Sequence, residues 1–333
     1  GPPPDAVTAV KQLLIDTTCM VEPERPLHSR TLIDAHLLEA WRVAAGDPED
    51  QLYLWLTDGA PMGITSQLAD PGIFPTVYRP ADNRPEGLGC NTRQFRNYPG
   101  VEEKEITDST LTEHHEKGHL MAFDTLAELE SFVKGKVILN KLGLIVKTRN
   151  GVTKSRMILD TKESGVKTVT AQGQRITLPR MFDAIIPILF LLSCLAVAAG
   201  TIINFLEMVE CFVLDFSDAF WQIPIHPDEQ KYFCAQGRIR GKLKYLAFLR
   251  GPQGSTAGPT LWGRLAALLM RLTQSLFSAE RLRLVCYVDD PLAAVCGTEA
   301  ERRVMAAVMI LVWTALGFKL AFAKGQLGSR VTW

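Results

Sequence analysis

The sequence predicts an α+β fold with an antiparallel sheet, and three observations lead to this prediction. Two apolar, β-branched runs, which end at Asp215 and at Asp289, have the composition of buried strands. Two segments with leucine and valine at helical spacing, 261–277 and 299–316, predict amphipathic helices. The elements follow one another as β-α-β-β-α-β rather than as repeating βαβ units, and this order favours an antiparallel sheet.

The first 134 residues predict short helices separated by long loops. Helical spacing is present within 1–60, whereas 61–110 is rich in Pro, Gly, Asn and Asp and shows little periodicity. A helix is predicted at 124–134, where Asp124 and Thr125 provide a cap. These patterns do not indicate a function for residues 1–134.

A β-hairpin is predicted around Asn150-Gly151. Strand-like sequences, 144–148 and 153–159, flank this dipeptide, which favours a type I′ turn because both central residues need positive φ. A two-stranded ribbon that carries cations is suited to contact phosphates. Three cations would project from this one, namely Lys147, Lys154 and Arg156.

Charge is distributed unevenly along the 333 residues, although the net charge is zero. Residues 1–130 carry 22 acidic and 10 basic side chains, and residues 131–333 carry 14 acidic and 26 basic ones. The basic part suits a polyanion such as nucleic acid. The alternative is that the two parts neutralise each other across an interface.

The seven cysteines form no C-x-x-C pair, and several lie in apolar runs as buried thiols do. This pattern favours a reducing compartment, so we expect an intracellular protein of the cytoplasm or nucleus. No signal peptide is visible, and the chain begins without Met, so we expect a fragment of a longer protein.

The stretch 184–206 contains no charged residue and is long enough to span a bilayer. Polar and helix-breaking residues interrupt it, among them Pro187 and Gly200. It also lies between two segments that we place in one site, and a membrane span would separate them. A buried core helix is therefore the favoured interpretation, and a membrane partner is not expected.

Two strand ends carry carboxylates, at Asp215 and at Tyr287-Val288-Asp289-Asp290. Buried carboxylates are costly unless a metal or partner neutralises them. If the two strand ends converge, their carboxylates could hold two divalent cations. Two such ions are sufficient to stabilise the attacking and leaving oxygens of an in-line phosphoryl transfer. The alternative is an ordinary surface turn for the Asp pair. Asp218, near Asp215, is interpreted as structural, because it could cap a short helix.

Over residues 136–333 the chain resembles the fingers and palm of a reverse transcriptase from a retroelement. Several motifs carry the resemblance in the family's order, namely Arg156-Met157-Ile158-Leu159-Asp160 with Lys162, Leu214–Ile225, Gly251-Pro252-Gln253-Gly254 with Pro259, Tyr287–Asp290, Leu316-Gly317-Phe318 with Lys324, and Val331-Thr332-Trp333. The resemblance implies residues 121–333 as fingers and palm, without thumb or RNase H, preceded by an acidic region, 1–120, of unknown role.

The resemblance also implies an RNA-directed DNA polymerase. Its partners would be an RNA or DNA template with primer, deoxynucleoside triphosphates and other segments of one polyprotein. Two Mg²⁺ ions, which Mn²⁺ could replace, would be held by Asp215, Asp289 and Asp290. The other implied roles are triphosphate binding by Lys147 and Arg156, nucleotide contact by Gln253 and Gly254, exclusion of a 2′-hydroxyl by Phe220, and proton donation to pyrophosphate by Lys324.

Two other functions stay open. Pro291 directly follows the Asp pair, where the family has an apolar strand residue, so a catalytically inactive remnant that at most binds nucleic acid is one alternative. The other is a zinc peptidase, because residues 115–119 fit the pattern H-E-x-x-H. Gly118 lies inside that pattern and weakens the helix that such a site requires.

Overall fold

The computed structural model describes residues 1–20, 31–89, 92, 95–101, 104–149, 151–199 and 208–333. The helices are α1 (Pro4–Thr18), α2 (Ala35–Ala44), α3 (Leu52–Thr57), α4 (Glu105–Glu116), α5 (Leu126–Phe132), α6 (Met181–Ala199), α7 (Gly258–Ser275) and α8 (Glu299–Ala315). The strands are β1 (Thr76–Arg79), β2 (Leu120–Phe123), β3 (Lys141–Arg149), β4 (Val152–Asp160), β5 (Gln172–Gln174), β6 (Val209–Val213), β7 (Cys234–Ile239), β8 (Lys242–Phe248), β9 (Leu282–Tyr287), β10 (Asp290–Cys296) and β11 (Gln326–Gly328).

A four-stranded antiparallel sheet, in the order β11-β6-β10-β9, forms the centre of the carboxyl-terminal part. Strand β10 is an inner strand, and its residue Leu292 pairs with Val213 of β6 and with Val285 of β9. Mixed helices and antiparallel strands confirm the α+β prediction. The sheet also brings the ends of β6 and β10, where the predicted carboxylates lie, next to each other.

Helices cover both faces of this sheet, because successive side chains of a strand point to opposite sides. Ala294 and Cys296 of β10 pack on one face with Leu191 of α6. Ala293 and Val295, which alternate with them, belong to the large core that α7 and α8 help to form. Such two-sided burial explains why β10 is apolar from Pro291 to Cys296.

The remaining strands form smaller antiparallel units. Strands β2, β8 and β7 make a three-stranded sheet, and β1 pairs with β5. Strands β3 and β4 form the predicted hairpin, in which Arg149 pairs with Val152 across a two-residue connection. Gly151 has φ +77°, as the predicted turn requires, whereas Asn150 lies outside the described residues.

The predicted helices are present with small shifts in their bounds. Helix α5 begins after Thr125, whose hydroxyl accepts the N–H of Glu128 in a capping box, and α8 begins with the same device at Thr298. Within 61–110, where mostly loop is predicted, the structure adds β1 and the start of α4. Low periodicity in short elements explains this difference, because four strand residues give little signal.

The amino-terminal helices share one hydrophobic core with the carboxyl-terminal part. Helix α1 packs against α8, and the hydroxyl of Thr31 donates to the carbonyl of Gln222 at 2.9 Å. Ala60 forms an isolated parallel bridge with Ile225. The boundary at residue 120 stays a prediction, but the core extends across it.

Helix α6 contains most of the uncharged stretch, and residues 200–206 of that stretch lie outside the described part. Ala184 and Leu191 are buried, whereas Phe182, Ile186 and Leu189 are exposed. The expected buried core helix is therefore wrong for one side of α6, which is apolar but exposed. In the part of the chain that the structure describes, no helix has both the length and the apolar character needed to cross a membrane.

Candidate active site

A tight turn between β9 and β10 carries the Asp pair. Tyr287 pairs with Asp290, so Val288 and Asp289 form the two-residue connection of a hairpin, as the sequence predicts. Val288 has φ +57°, a conformation that is strained for a β-branched residue. We call residues 287–290 the catalytic turn, after the role that the resemblance implies for its aspartates.

Asp215 lies beside this turn because β6 runs antiparallel to β10. The N–H of Phe216 donates to the carbonyl of Asp289 at 2.8 Å, and the N–H of Ala321 donates to the carbonyl of Asp215 at 2.8 Å. Asp215 is buried, with 6% of its surface exposed. Two strand ends and a following segment thus fix the backbone on both sides of the carboxylates.

The three carboxylates influence one another electrostatically. Burial, together with the charges of Asp289 and Asp215 and a hydrogen bond that the protonated Asp290 donates to Asp215, raises the pKa of Asp290 to about 6. Burial and the charge of Asp215 also raise the pKa of Asp289, although Lys324 and Arg156 oppose that rise. The ammonium group of Lys324 forms an ion pair with the carboxylate of Asp215.

This set of donors fits a hard divalent cation. Carboxylate oxygens are the ligands that Mg²⁺ prefers, and a dication would relieve the repulsion that raises the two pKa values. In the described part of the chain, this cluster included, no group of three or more His, Cys, Asp or Glu side chains is arranged to hold a metal ion by itself. Further ligands from water or substrate phosphates would be needed, which is usual for Mg²⁺.

The β3–β4 hairpin places its cations on one face. Arg156 lies opposite Ile145, and Lys147 is two residues further along the same strand, so Arg156 and Lys147 share a face. Both side chains are exposed. The positive charge of Arg156 opposes the rise in the pKa of Asp289, so the two side chains are close enough to interact electrostatically.

The segment 251–257 packs against the end of the same hairpin. The N–H of Leu159 donates to the carbonyl of Gln253 at 2.9 Å. Gly254 has φ +102°, and a Cβ at this position would lie 2.4 Å from the carbonyl oxygen of Leu159. Only glycine allows this approach of the two backbones. Packing therefore requires a glycine at position 254, where the motif of the resemblance also has one.

Phe220 and Trp221, which are neighbours on a 3₁₀ turn after Asp215, differ in their surroundings. Phe220 is half-buried next to the start of α7, where a Cβ on Gly258 would lie 3.7 Å from its ring. Trp221 is buried and stacks on His119 with ring centroids 5.1 Å apart. Trp221 is therefore a core aromatic, whereas Phe220 borders the segment that contains Gln253.

Asp218 pairs with Lys117 at 3.1 Å. Burial raises the pKa of Asp218, but the hydrogen bond and charge of Lys117 outweigh burial and lower it. This pair links the 3₁₀ turn to the end of α4. Asp218 precedes the 3₁₀ turn, but its side chain makes no cap hydrogen bond, so the predicted capping is wrong.

Pro291 is accommodated inside β10, where it is buried and pairs with Cys286. Its carbonyl accepts the N–H of Leu214 at 3.3 Å. Pro291 has no N–H to donate in return, so one hydrogen bond between the two Asp-bearing strands is lost. The next one, from Phe216 to Asp289, is present.

The H-E-x-x-H pattern does not form a continuous helix. Helix α4 ends at Glu116, and Gly118 has φ +69°. The N–H of His119 donates to the carbonyl of His114, and that of Gly118 to His115, which is the Schellman arrangement that ends a helix. His115 and His119 therefore do not share a helix face, and the geometry argues against a zinc peptidase site.

Two tryptophans that are not among the predicted site residues donate hydrogen bonds to the catalytic turn. The Nε1–H of Trp262 donates to the carbonyl of Val288 at 2.7 Å, and that of Trp333 donates to the carbonyl of Asp290 at 2.8 Å. Trp262 lies within the apolar stripe of α7, where an aromatic residue normally indicates core packing. Trp333 ends the motif Val331-Thr332-Trp333, which resembles the start of the family's primer-grip hairpin.

The segment that carries this site is similar to known proteins. Residues 207–332 match the family described as reverse transcriptase (RNA-dependent DNA polymerase). The Gag-Pol polyprotein of avian reticuloendotheliosis virus is 32% identical over 117 residues, which are 34% of this chain and 10% of that protein. The Gag-Pro-Pol polyprotein of squirrel monkey retrovirus is 28% identical over 118 residues, 34% of this chain and 6% of that protein.

The chain thus spans a tenth or less of the length of these two curated relatives. The matched segment contains Asp215, the catalytic turn and Lys324. On this match, and on the order of its motifs, residues 207–332 are a reverse transcriptase region of the retroelement type.

Proposed function

We propose that this chain adds deoxynucleotides to a primer 3′-hydroxyl under the direction of a template, by two-metal phosphoryl transfer. The observation that carries the proposal is the cluster of Asp215, Asp289 and Asp290. These carboxylates lie at neighbouring strand ends, the charge of Asp215 helps to raise the pKa values of Asp289 and Asp290, and the segment matches a polymerase family.

The three aspartates would hold two Mg²⁺ ions, with Mn²⁺ as a substitute. When bound, such ions supply activation of the primer hydroxyl and neutralisation of charge on the triphosphate and the leaving pyrophosphate. The chain's own contribution is to gather the carboxylates at fixed strand ends. Lys324, paired with Asp215, would hold a proton close to the leaving group.

The incoming nucleotide would lie between the β3–β4 hairpin and the segment 251–257. Lys147 and Arg156, on one face of the hairpin, would bind its triphosphate. Gln253 and Gly254 would contact the nucleotide, and the ring of Phe220 would lie beneath its sugar, where it would exclude a 2′-hydroxyl. Residues 121–333 would thus act as fingers and palm.

The template–primer would be RNA or DNA, with RNA favoured by the family. The excess of basic side chains in residues 131–333 supports contact with a polyanion. Because the matched relatives are polyproteins, other segments of one polyprotein are proposed as further partners.

Primer extension on an RNA template, with deoxynucleotides and Mg²⁺, tests the proposal. Asp289→Asn removes a charge without changing the size of the side chain and should reduce extension to background. Asp228→Asn is the matched control, because the Asp228 side chain is 79% exposed, and it should extend like the wild type. Equal extension by wild type and Asp289→Asn would contradict the proposal.

A folded but inactive remnant is the second candidate, and Pro291 favours it. The missing N–H weakens the pairing of β10 with β6, which sets the separation of Asp215 and Asp289. Under this alternative the wild type binds primer–template without extending it. Pro291→Val, which restores the N–H, should then produce extension that the wild type lacks.

A further inference from the structure

The catalytic turn is held in a strained conformation by a group outside the carboxylate cluster. Val288 is the residue with φ +57°, and the carbonyl of its neighbour Asp289 accepts the N–H of Phe216, which follows Asp215. A left-handed conformation is strained for a β-branched residue and persists only where surrounding contacts enforce it. Some interaction must therefore hold this peptide.

The carbonyl of Val288 accepts the Nε1–H of Trp262 at 2.7 Å. The other hydrogen bond to that carbonyl is from a thiol, Cys286, at 3.5 Å, and thiols are weak donors. Trp262 has no exposed surface, and its ring packs edge-on against Phe216 with centroids 5.5 Å apart. The indole is thus fixed by packing, and it can impose an orientation on the turn.

The same indole joins the two Asp-bearing segments. Its ring contacts Phe216, which follows Asp215, and its N–H reaches Val288, which precedes Asp289. A rigid group that contacts both neighbours limits how far the two carboxylates can move apart.

We propose that Trp262 is a positioning residue, whose Nε1–H fixes the peptide of Val288 and thereby the place of Asp289 relative to Asp215. The expected effect on kcat rests on the proposed function. The expected effect on the conformation of the turn does not depend on that function. Trp262 would touch neither substrate nor metal, and would act through the backbone of the turn.

Trp262→Phe tests the proposal because it keeps an aromatic ring and removes the N–H. Trp313→Phe is the matched control. Trp313 also has no exposed surface, also packs on Phe216, with centroids 5.3 Å apart, and also donates its Nε1–H, to the hydroxyl of Thr273 at 2.8 Å. The two substitutions therefore differ mainly in whether the lost hydrogen bond reaches the catalytic turn.

Two measurements on the full chain separate positioning from stability. In primer extension, Trp262→Phe should lower kcat about tenfold, the factor expected for one lost hydrogen bond, with KM for the nucleotide nearly unchanged. Trp313→Phe should leave kcat near that of the wild type. Without substrate or metal, amide hydrogen exchange at 288–290 should become faster in Trp262→Phe and stay unchanged in Trp313→Phe.

The outcomes distinguish the two proposals. A wild type that does not extend primers contradicts the proposed function, but hydrogen exchange at the turn still tests Trp262. An active wild type, with equal kcat and equal exchange in both variants, would overturn the positioning role. Equal loss of kcat in both variants would also overturn it, because it would indicate general destabilisation.

Discussion

The three carboxylates of the candidate site lie close together but differ in their environment. Asp215 is buried and paired with Lys324, whereas Asp289 and Asp290 have raised pKa values because burial and neighbouring negative charge disfavour ionisation. The chain therefore concentrates negative charge that its own cations only partly neutralise. A divalent cation carries two positive charges and would neutralise the remaining negative charge more fully than a further Lys or Arg.

Phe220→Ala should weaken the discrimination between deoxynucleotides and ribonucleotides. The half-buried ring lies beside the segment that would hold the nucleotide, and its removal opens space for a 2′-hydroxyl. We expect the ratio of kcat/KM values for the two sugars to fall at least about tenfold. Trp221→Phe, a change in the adjacent core aromatic, should leave the ratio unchanged, and an equal fall in both variants would contradict the role of Phe220.

The free energy of unfolding should fall as pH is lowered from about 6.5 towards 3, partly because of His119. Burial and the charge of His114 lower the pKa of His119 to about 3, while Asp218 opposes this and Lys319 and Lys117 reinforce it. The unfolded chain takes up this proton near pH 6.5, and the folded chain does not, so protons favour unfolding in this window.

Urea unfolding at pH 7.5 and at pH 5 checks this prediction. The loss of stability between the two values should be smaller in His119→Gln than in the wild type. His226→Gln, at a side chain that is 40% exposed, should lose as much stability as the wild type. Parallel behaviour of all three proteins would show that His119 is not responsible.

At the scale of elements, the site depends on how one loop packs on one hairpin. The segment 251–257 meets the end of β4 through a hydrogen bond from Leu159 to Gln253 and through the close approach at Gly254. The hairpin also carries Arg156, so the loop and the cation are positioned together. A change in this contact should alter nucleotide binding more than it alters the carboxylates.

Gly254→Ala should destabilise the protein by about 1–3 kcal/mol and raise KM for the nucleotide, because the new Cβ would strain the backbone and collide with Leu159. Gly173→Ala is the control, since a Cβ there meets nothing within 4 Å. Urea unfolding and steady-state kinetics measure both effects. Surface substitutions usually change the free energy of unfolding by less than about 0.5 kcal/mol. A loss below that value in Gly254→Ala would contradict the close contact between residue 254 and Leu159.

At the scale of the whole molecule, the amino-terminal helices and the polymerase-like part are joined by a buried ion pair. The guanidinium of Arg264, on α7, binds the carboxylate of Glu49 through two N–H groups, and neither side chain is exposed. Arg264 also lies over the ring of Trp55 at 4.4 Å. The acidic amino-terminal region is therefore part of the same folded unit, although its role in function stays open.

Glu49→Gln should lower the free energy of unfolding by about 3–5 kcal/mol, because it leaves the buried Arg264 charge uncompensated. We expect one cooperative transition in urea, in which both parts unfold together. Glu299→Gln removes one partner of an exposed pair with Arg303 and should cost no more than about 1 kcal/mol. Two separate transitions would contradict the shared core.

The sequence by itself determined the fold class, the hairpin with Gly151, the main helices and the strand ends with Asp215, Asp289 and Asp290. These features depend on local periodicity, turn chemistry and motif order, which a chain shows without its tertiary structure. The tertiary structure decided the pairing of Lys324 with Asp215, the hydrogen bond from Trp262 to Val288 and the accommodation of Pro291. It also showed that α4 ends inside the H-E-x-x-H pattern. The physical reason is that contacts between residues far apart in the chain depend on how whole elements pack, and no local pattern encodes that packing.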